Sequence, residues 1–172
     1  MRRGATIILA ASGVAIAALA FASAHPFAPI LVWNASASAP IGLYRIKPNT
    51  PPEIGAFVLV RPDEDLEKFI TERGYLPKDI PFLKRVAALP GDGICRESKA
   101  VYINETRVAD ALNFDSRGRK MPAWNGCYKL RSGEIFLLNY PENSLDGRYF
   151  GATKLNDVIG VARAVWVKAG RR

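Results

Sequence analysis

The sequence predicts a mainly β domain, a coiled sheet or barrel, that follows one N-terminal apolar helix. Residues 5–24 carry no charged side chain, whereas the rest of the 172-residue chain has the mixed composition of an ordinary globular domain. In that remainder, short apolar runs alternate with turns rich in Gly, Pro and Asn, which is typical of β structure. The length leaves room for one domain and a short appendage.

Residues 1–24 are predicted to be a membrane anchor or a signal segment. A helix of about 20 residues is about 30 Å long, enough to span the apolar core of a bilayer. Arg2 and Arg3 precede the apolar run, so the positive-inside bias places the N-terminus in the cytoplasm. The sequence Ala22-Ser23-Ala24 also fits a site at which a signal peptide is removed. The domain is therefore expected outside the cytoplasm, either held at the membrane by this segment or released from it.

Residues 25–33 are predicted to form an interfacial linker. Pro26 ends the first helix because proline cannot continue it. Residues 30–33 are expected at the membrane surface, with Trp33 as an interfacial anchor. The exported domain then spans residues 34–172.

Within this domain, the sequence predicts short strands, one hairpin and one helix. The helix covers residues 63–72, where Leu66, Phe69 and Ile70 share one face. Strands are predicted over residues 43–46, 56–60, 82–89, 134–138 and 158–167, and a hairpin over residues 100–104 and 106–109.

The composition argues against nucleic-acid binding and against a metal or cofactor. The net charge is +8, but the basic residues are scattered and form no stripe interleaved with stacking aromatics. Cys95 and Cys127 are too far apart for a CxxC motif, and no second pair is present for zinc. In an exported domain they are candidates for one disulfide, and the alternative is two buried free thiols.

A lysine is a better candidate base than histidine in this chain. Its one histidine, His25, lies at the end of the apolar helix. His25 is therefore a poor candidate for the base of a Ser-His-Asp hydrolase. A lysine can accept a proton only when it is neutral, and burial lowers its pKa from the ordinary value of about 10.4. On a strand, Lys84 shares a face with Phe82 and Val86, which offers an apolar environment. The alternative is an exposed strand lysine.

Two serines in the segment after the apolar run are candidate catalytic groups. Pro40 rigidifies the chain after Ser38, and Gly42 permits a tight turn. A fixed backbone lets the N–H of Ser38 point at a developing oxyanion. In an extended segment, the hydroxyl of Ser36 lies on the same side and can assist. The alternative for such a Ser/Ala/Pro stretch is a flexible linker.

Three separated blocks carry a family resemblance. They are Ser36-Ala37-Ser38-Ala39-Pro40, Leu83-Lys84-Arg85-Val86-Ala87-Ala88-Leu89-Pro90-Gly91-Asp92-Gly93 and Asn143-Ser144-Leu145-Asp146-Gly147-Arg148. In this order they resemble the blocks of the type I signal peptidase family of Ser/Lys proteases. The continuation Pro40-Ile41-Gly42-Leu43-Tyr44 is similar to the pattern of its conjugal-transfer, TraF-like branch.

The resemblance implies a role for each matching residue. Ser38 matches the nucleophile and Lys84 the general base. Around them, Ser36 matches an oxyanion-assisting serine, Ser144 the serine that orients the lysine, and Asp146 and Arg148 the residues that brace the site. The chain departs from the family pattern twice, since Gly147 replaces the usual serine and Asn139-Tyr140-Pro141-Glu142 replaces the usual Gly-Asp-Asn-Arg.

The expected function is that of a membrane-associated serine endopeptidase that processes the propilin of a conjugative type IV secretion system. In the conjugal branch, the substrate's own amine can replace water, which would cyclise the pilin. Expected partners are the propilin, the cytoplasmic membrane and other proteins of mating-pair formation. One alternative is a general leader peptidase, and another, of a different class, is a non-catalytic exported scaffold of the conjugation apparatus.

Overall fold

Two antiparallel sheets make up the domain in the computed structural model, which describes residues 2–24 and 30–168. The mainly β fold class predicted from the sequence is confirmed. The strands are β1 (Leu31–Asn34), β2 (Gly42–Lys47), β3 (Phe57–Val60), β4 (Phe82–Ala88), β5 (Gly93–Glu97), β6 (Ala100–Ile103), β7 (Thr106–Asp110), β8 (Gly126–Lys129), β9 (Glu134–Leu137), β10 (Thr153–Lys154) and β11 (Val158–Val167). The helices are α1 (Arg2–Ala24), α2 (Glu64–Glu72) and α3 (Gly147–Phe150), with a 3₁₀ turn at Leu155–Asp157.

The larger sheet has seven strands in the order β1-β2-β11-β3-β4-β9-β10, and the smaller has four in the order β7-β6-β5-β8. β3 and β4 are central, and β3 is buried on both faces, which explains its continuous apolar run. Leu59 packs with Tyr44 and Leu83 on one side, and Val58 packs with Val86 on the other. This core holds β4, the strand of Lys84, in place.

The smaller sheet carries the disulfide predicted from the sequence. Cys95 on β5 faces Cys127 on β8, and the two are bridged. The sequence did not predict β5 or β8, because neither has the apolar run of a fully buried strand.

The predicted linker over residues 25–33 needs correction. Residues 25–29 lie outside the described residues, but Leu31–Asn34 forms β1, the edge strand of the larger sheet. Trp33 on β1 stacks on Trp166 of β11, with ring centroids 5.7 Å apart. The apolar run that suggested a membrane surface is therefore part of the sheet.

The predicted helices are both present. Asp63 is the N-cap of α2, and its Oδ1 accepts a hydrogen bond from the N–H of Leu66 at 2.9 Å. α1 covers the whole uncharged N-terminal run, residues 5–24. Within residues 2–24 and 30–168, no helix is long and apolar enough to cross a membrane. The anchor or signal role of residues 1–24 stays a prediction.

Candidate active site

Ser36 and Ser38 lie on the loop between β1 and β2, residues 35–41, which we name the serine loop. Their hydroxyl oxygens are 2.8 Å apart, so they form a hydrogen bond. Ser38 is half-buried and Ser36 is exposed. Both serines line a cavity of about 630 Å³. The serine loop is a hydrogen-bonded turn, so the alternative of a flexible linker does not fit it.

Lys84 projects from β4 into the same cavity and is 5% exposed. Its Nζ donates to Ser144 Oγ at 3.3 Å and lies 5.5 Å from the centroid of the Phe82 ring. Burial lowers the pKa of Lys84 from 10.5 to about 8; the charge of Asp146 opposes this shift, and that of Arg148 adds to it. The structure thus provides the apolar environment that a neutral lysine needs.

The serine loop and Lys84 line the same cavity. Among the described residues, the hydroxyl of Ser38 bonds to Ser36 and the amine of Lys84 bonds to Ser144, and no hydrogen bond joins Ser38 to Lys84. Catalytic hydrogen bonds are often longer without substrate and shorten in the complex. Apolar side chains complete the cavity lining: Leu83, Leu112, Phe114, Met121 and Leu145.

Asp146 and Arg148 form a buried ion pair behind Ser144. Arg148 Nε donates to Asp146 Oδ1 at 2.8 Å, and the side chains are 1% and 0% exposed, respectively. Arg148 also donates to the main-chain oxygens of Asp110, Glu142 and Asn139, at 3.2, 3.0 and 2.7 Å. A buried charge is tolerated when it is paired and hydrogen-bonded, as here. Neither side chain lines the cavity, so the pair supports the loop of Ser144.

The departure at Gly147 has a steric reason. A Cβ at this position would lie 2.7 Å from Phe136 Cε2 and 2.8 Å from the oxygen of Leu137. The serine found here in the family pattern would therefore require the core to move. Asp146 still caps α3, because its side chain accepts the N–H of Arg148. The ion pair forms without the missing serine.

Two buried asparagines near the site were not singled out from the sequence. Asn34 ends β1 and is 8% exposed, and Asn139 follows β9 and is 2% exposed. The former bonds to the serine loop, and the latter to the residues on either side of Lys84. For Asn34 the sequence does carry a local signal, because asparagine is favoured at the start of a turn. The role of the second depends on tertiary contacts alone.

One wall of the cavity is made by two segments that bind each other. They are residues 73–75, after α2, and residues 115–121, and we name this pair the clasp. Tyr75 Oη donates to Asp115 Oδ2 at 2.5 Å, and Arg119 pairs with the same carboxylate at 2.7 Å. Arg73 Nη1 donates to the oxygen of Lys120 at 2.9 Å. The hydrogen bonds that Asp115 accepts, above all the one from Tyr75, hold the pKa of this carboxyl well below its usual range.

Comparison with known proteins gives one family and several relatives. The family model described as signal peptidase, peptidase S26, matches residues 2–167. Plasmid transfer protein TraF of Escherichia coli is 34% identical over 143 residues, which cover 77% of this chain and 80% of that protein. Conjugal transfer protein TraF of Agrobacterium fabrum is 31% identical over 144 residues, with 77% and 80% covered. Probable conjugal transfer protein TraF of Sinorhizobium fredii is 29% identical over 174 residues, with 95% and 91% covered.

A solved structure is also similar to this chain. It is a signal peptidase I from Enterococcus faecalis V583, with 19% sequence identity and a TM-score of 0.36. The match covers 65% of this chain and 97% of that chain.

Proposed function

The chain belongs to the signal peptidase family, peptidase S26, and on that basis we propose that it is a serine endopeptidase with Ser38 as nucleophile and Lys84 as general base. The observation that carries this proposal is the environment of Lys84. It is buried, hydrogen-bonded to Ser144, and shares one cavity with both serines of the serine loop. Burial lowers its pKa to about 8, which raises the fraction of Lys84 in the neutral form that a base requires.

The reaction is acyl transfer through Ser38. Neutral Lys84 removes the proton of the Ser38 hydroxyl as Oγ attacks the carbonyl carbon of the scissile peptide. The N–H of Ser38 and the hydroxyl of Ser36 donate to the oxyanion. Protonated Lys84 then gives its proton to the departing amine, and the C–N bond breaks. Water, activated by the same lysine, releases the acyl group, or a substrate amine takes its place and closes a ring.

The substrate we propose is the propilin of a conjugative type IV secretion system. The relatives named as conjugal or plasmid transfer proteins support a role in conjugation. A general leader peptidase is the alternative within the same class. It would restore growth of a host that lacks its own leader peptidase, whereas an enzyme restricted to propilin would not.

The proposed location is the inner membrane, with residues 34–168 in the periplasm. The disulfide supports an oxidising compartment. Trp33 and Trp166 are 56% and 54% exposed and stack on each other, and tryptophan is enriched at membrane interfaces. If residues 1–24 are removed, the domain is instead soluble in the periplasm. The membrane and other mating-pair-formation proteins are the proposed partners beside the substrate.

The test is processing of a co-expressed propilin by the full chain. Ser38→Ala and Lys84→Ala should each abolish processing, because each removes one half of the dyad. Ser132→Ala and Lys129→Ala are matched controls at exposed positions outside the cavity, and they should process normally. Full processing by either dyad variant would reject the assignment. If the Ser38→Ala variant still supports conjugation, the protein is instead the non-catalytic scaffold.

A further inference from the structure

We propose that Asn34 and Asn139 are positioning residues for the two halves of the dyad. Asn34 shapes the serine loop, and Asn139 sets the backbone on both sides of Lys84. This inference rests on the proposed function, because it assigns a role relative to Ser38 and Lys84. Neither residue transfers a proton, and each acts through the group that it holds.

The carboxamide of Asn34 is the centre around which the serine loop folds. Its Oδ1 accepts the N–H of Ser36 at 3.1 Å. Its Nδ2 lies 3.0 Å from the oxygen of Ser36 and 3.1 Å from the oxygens of Ala39 and Pro40. These groups lie on both sides of Ser38 in the chain, so one side chain determines the course of the loop before and after Ser38.

The remaining support of the loop comes from β2. Tyr44 Oη donates to the oxygen of Pro40 at 2.7 Å, and Tyr44 is 1% exposed. Pro40 is therefore held by two side chains that are both anchored in the larger sheet. The hydroxyls of Ser36 and Ser38 reach each other only if the loop keeps this course.

Asn139 makes the corresponding contacts beside the base. Its Oδ1 accepts the N–H of Arg85 at 2.9 Å, and its Nδ2 donates to the oxygen of Leu83 at 3.3 Å. Leu83 and Arg85 are the two neighbours of Lys84 on β4. The main chain of Asn139 bonds to the buried ion pair, since the N–H of Asn139 donates to Asp146 Oδ2 at 3.0 Å. Asn139 thus connects the ion pair to the strand that carries Lys84.

A carboxamide suits both places because it has a donor and an acceptor in one planar group. Alanine would leave buried carbonyl oxygens and N–H groups without partners. Aspartate at position 34 would keep the acceptor but would turn an anion toward three carbonyl oxygens. A displacement of the reacting groups of about 1 Å can lower a rate about 100-fold. We therefore expect losses in the chemical step at both sites.

The experiment measures acylation of the purified full chain by a β-lactam-type serine-directed probe, followed by intact-mass spectrometry. The maximal acylation rate reports the chemical step, and the half-saturating probe concentration reports binding. Asn34→Ala should lower the maximal rate about 100-fold and leave half-saturation little changed. Asn156→Ala, at an exposed asparagine outside the cavity, is the matched control and should behave as wild type.

The pH dependence separates the two positions. Asn34→Ala should keep the apparent pKa of the rate near 8, because Lys84 stays buried. Asn139→Ala should move this apparent pKa upward, because β4 loosens and water reaches Lys84. In Asn34→Asp, burial and the three facing carbonyl oxygens should raise the pKa of the carboxyl. The rate relative to wild type should then recover as the pH falls toward that pKa, since a protonated carboxyl can donate again. A mere loss of folded protein lowers the rate alike at every pH, so it gives neither the pKa shift of Asn139→Ala nor the recovery of Asn34→Asp.

Thermal unfolding of each variant gives the folded fraction at the assay temperature. A folded Asn34→Ala protein that is acylated at the wild-type rate would overturn the role of Asn34, as would a rate loss equal to the unfolded fraction. An unchanged apparent pKa in Asn139→Ala would overturn the role of Asn139. If wild type and Ser38→Ala react alike, the proposed function itself fails. That outcome is distinct, because it does not depend on either asparagine.

Discussion

Opposing influences act on the ammonium group of Lys84. Burial and, to a smaller extent, the charge of Arg148 lower its pKa, whereas the charge of Asp146 raises it. Burial is the larger influence, and the pKa of Lys84 falls to about 8. The hydrogen bond to Ser144 orients the amine of Lys84. Because the serine hydroxyl is uncharged, it does not raise the pKa of the lysine as a carboxylate in its place would. A serine partner is thus compatible with a lysine that has to be neutral.

We expect kcat/KM for propilin cleavage by the full chain to rise with pH along a limb with an apparent pKa of about 8. Below this pH, Lys84 is protonated and cannot accept the proton of Ser38, so efficiency should fall about tenfold per pH unit. Initial rates across the pH range measure this. A limb near the ordinary lysine value, or a flat profile, would contradict the assignment of Lys84 as base.

At the level of elements, the insertion between β3 and β4 shapes the cavity as much as the sheet does. It carries α2 and Tyr75, whose hydroxyl bonds to Asp115 of the other half of the clasp. Tyr75, Phe114 and Met121 line the cavity next to the dyad. Because this wall lies on loops rather than on strands, its position depends on the polar bonds of the clasp.

The variant Tyr75→Phe should raise KM for propilin more than it lowers kcat. It removes the bond to Asp115 and loosens the cavity wall, but it leaves Ser38 and Lys84 in place. We also expect the thermal unfolding midpoint to fall by a few degrees, because Asp115 loses a hydrogen bond. Tyr102→Phe on β6, outside the cavity, is the control. An unchanged KM would show that the clasp does not shape substrate binding.

At the level of the whole molecule, the dyad and the disulfide belong to different sheets. The serine loop and Lys84 lie on the larger sheet, whereas Cys95 and Cys127 join two strands of the smaller one. One link between these parts is Arg96 on β5, whose Nη1 donates to the oxygen of Arg148 at 2.6 Å. Stability and catalysis should therefore respond differently to loss of the bridge.

The double variant Cys95→Ala/Cys127→Ala should lower the free energy of unfolding by about 2–4 kcal/mol, because the bridge restricts the unfolded chain. The two cysteines are 32 residues apart in sequence. We expect kcat at temperatures well below the unfolding midpoint to stay near the wild-type value. Denaturant unfolding together with propilin cleavage rates measures both effects. A kcat far below the wild-type value in the folded double variant would show that the smaller sheet also sets the geometry of the proposed dyad.

The sequence by itself determined the fold class, the family and the central strands. β3 was predictable because a strand buried on both faces is continuously apolar, and α2 because its apolar residues share one face. β4 was predictable from the apolar residues around Lys84 and the Pro90-Gly91 turn that follows. The sequence predicted a linker where β1 forms, because an exposed apolar run has the same pattern at a sheet edge as at a membrane surface. The three family blocks singled out Ser38, Lys84 and Ser144 as candidate site residues, and their catalytic roles stay predictions.

Only the tertiary structure decided how these residues meet. Lys84 and Ser144 are 60 positions apart in sequence, and their contact exists because β4 pairs with β9 and the following loop folds back. The burial that lowers the pKa of Lys84 is a property of the packed core, so no local pattern separates it from an exposed strand lysine. Asn34 and Asn139 acquire their contacts in the same way, because a carboxamide has no preferred partner until folding brings the backbone groups to it.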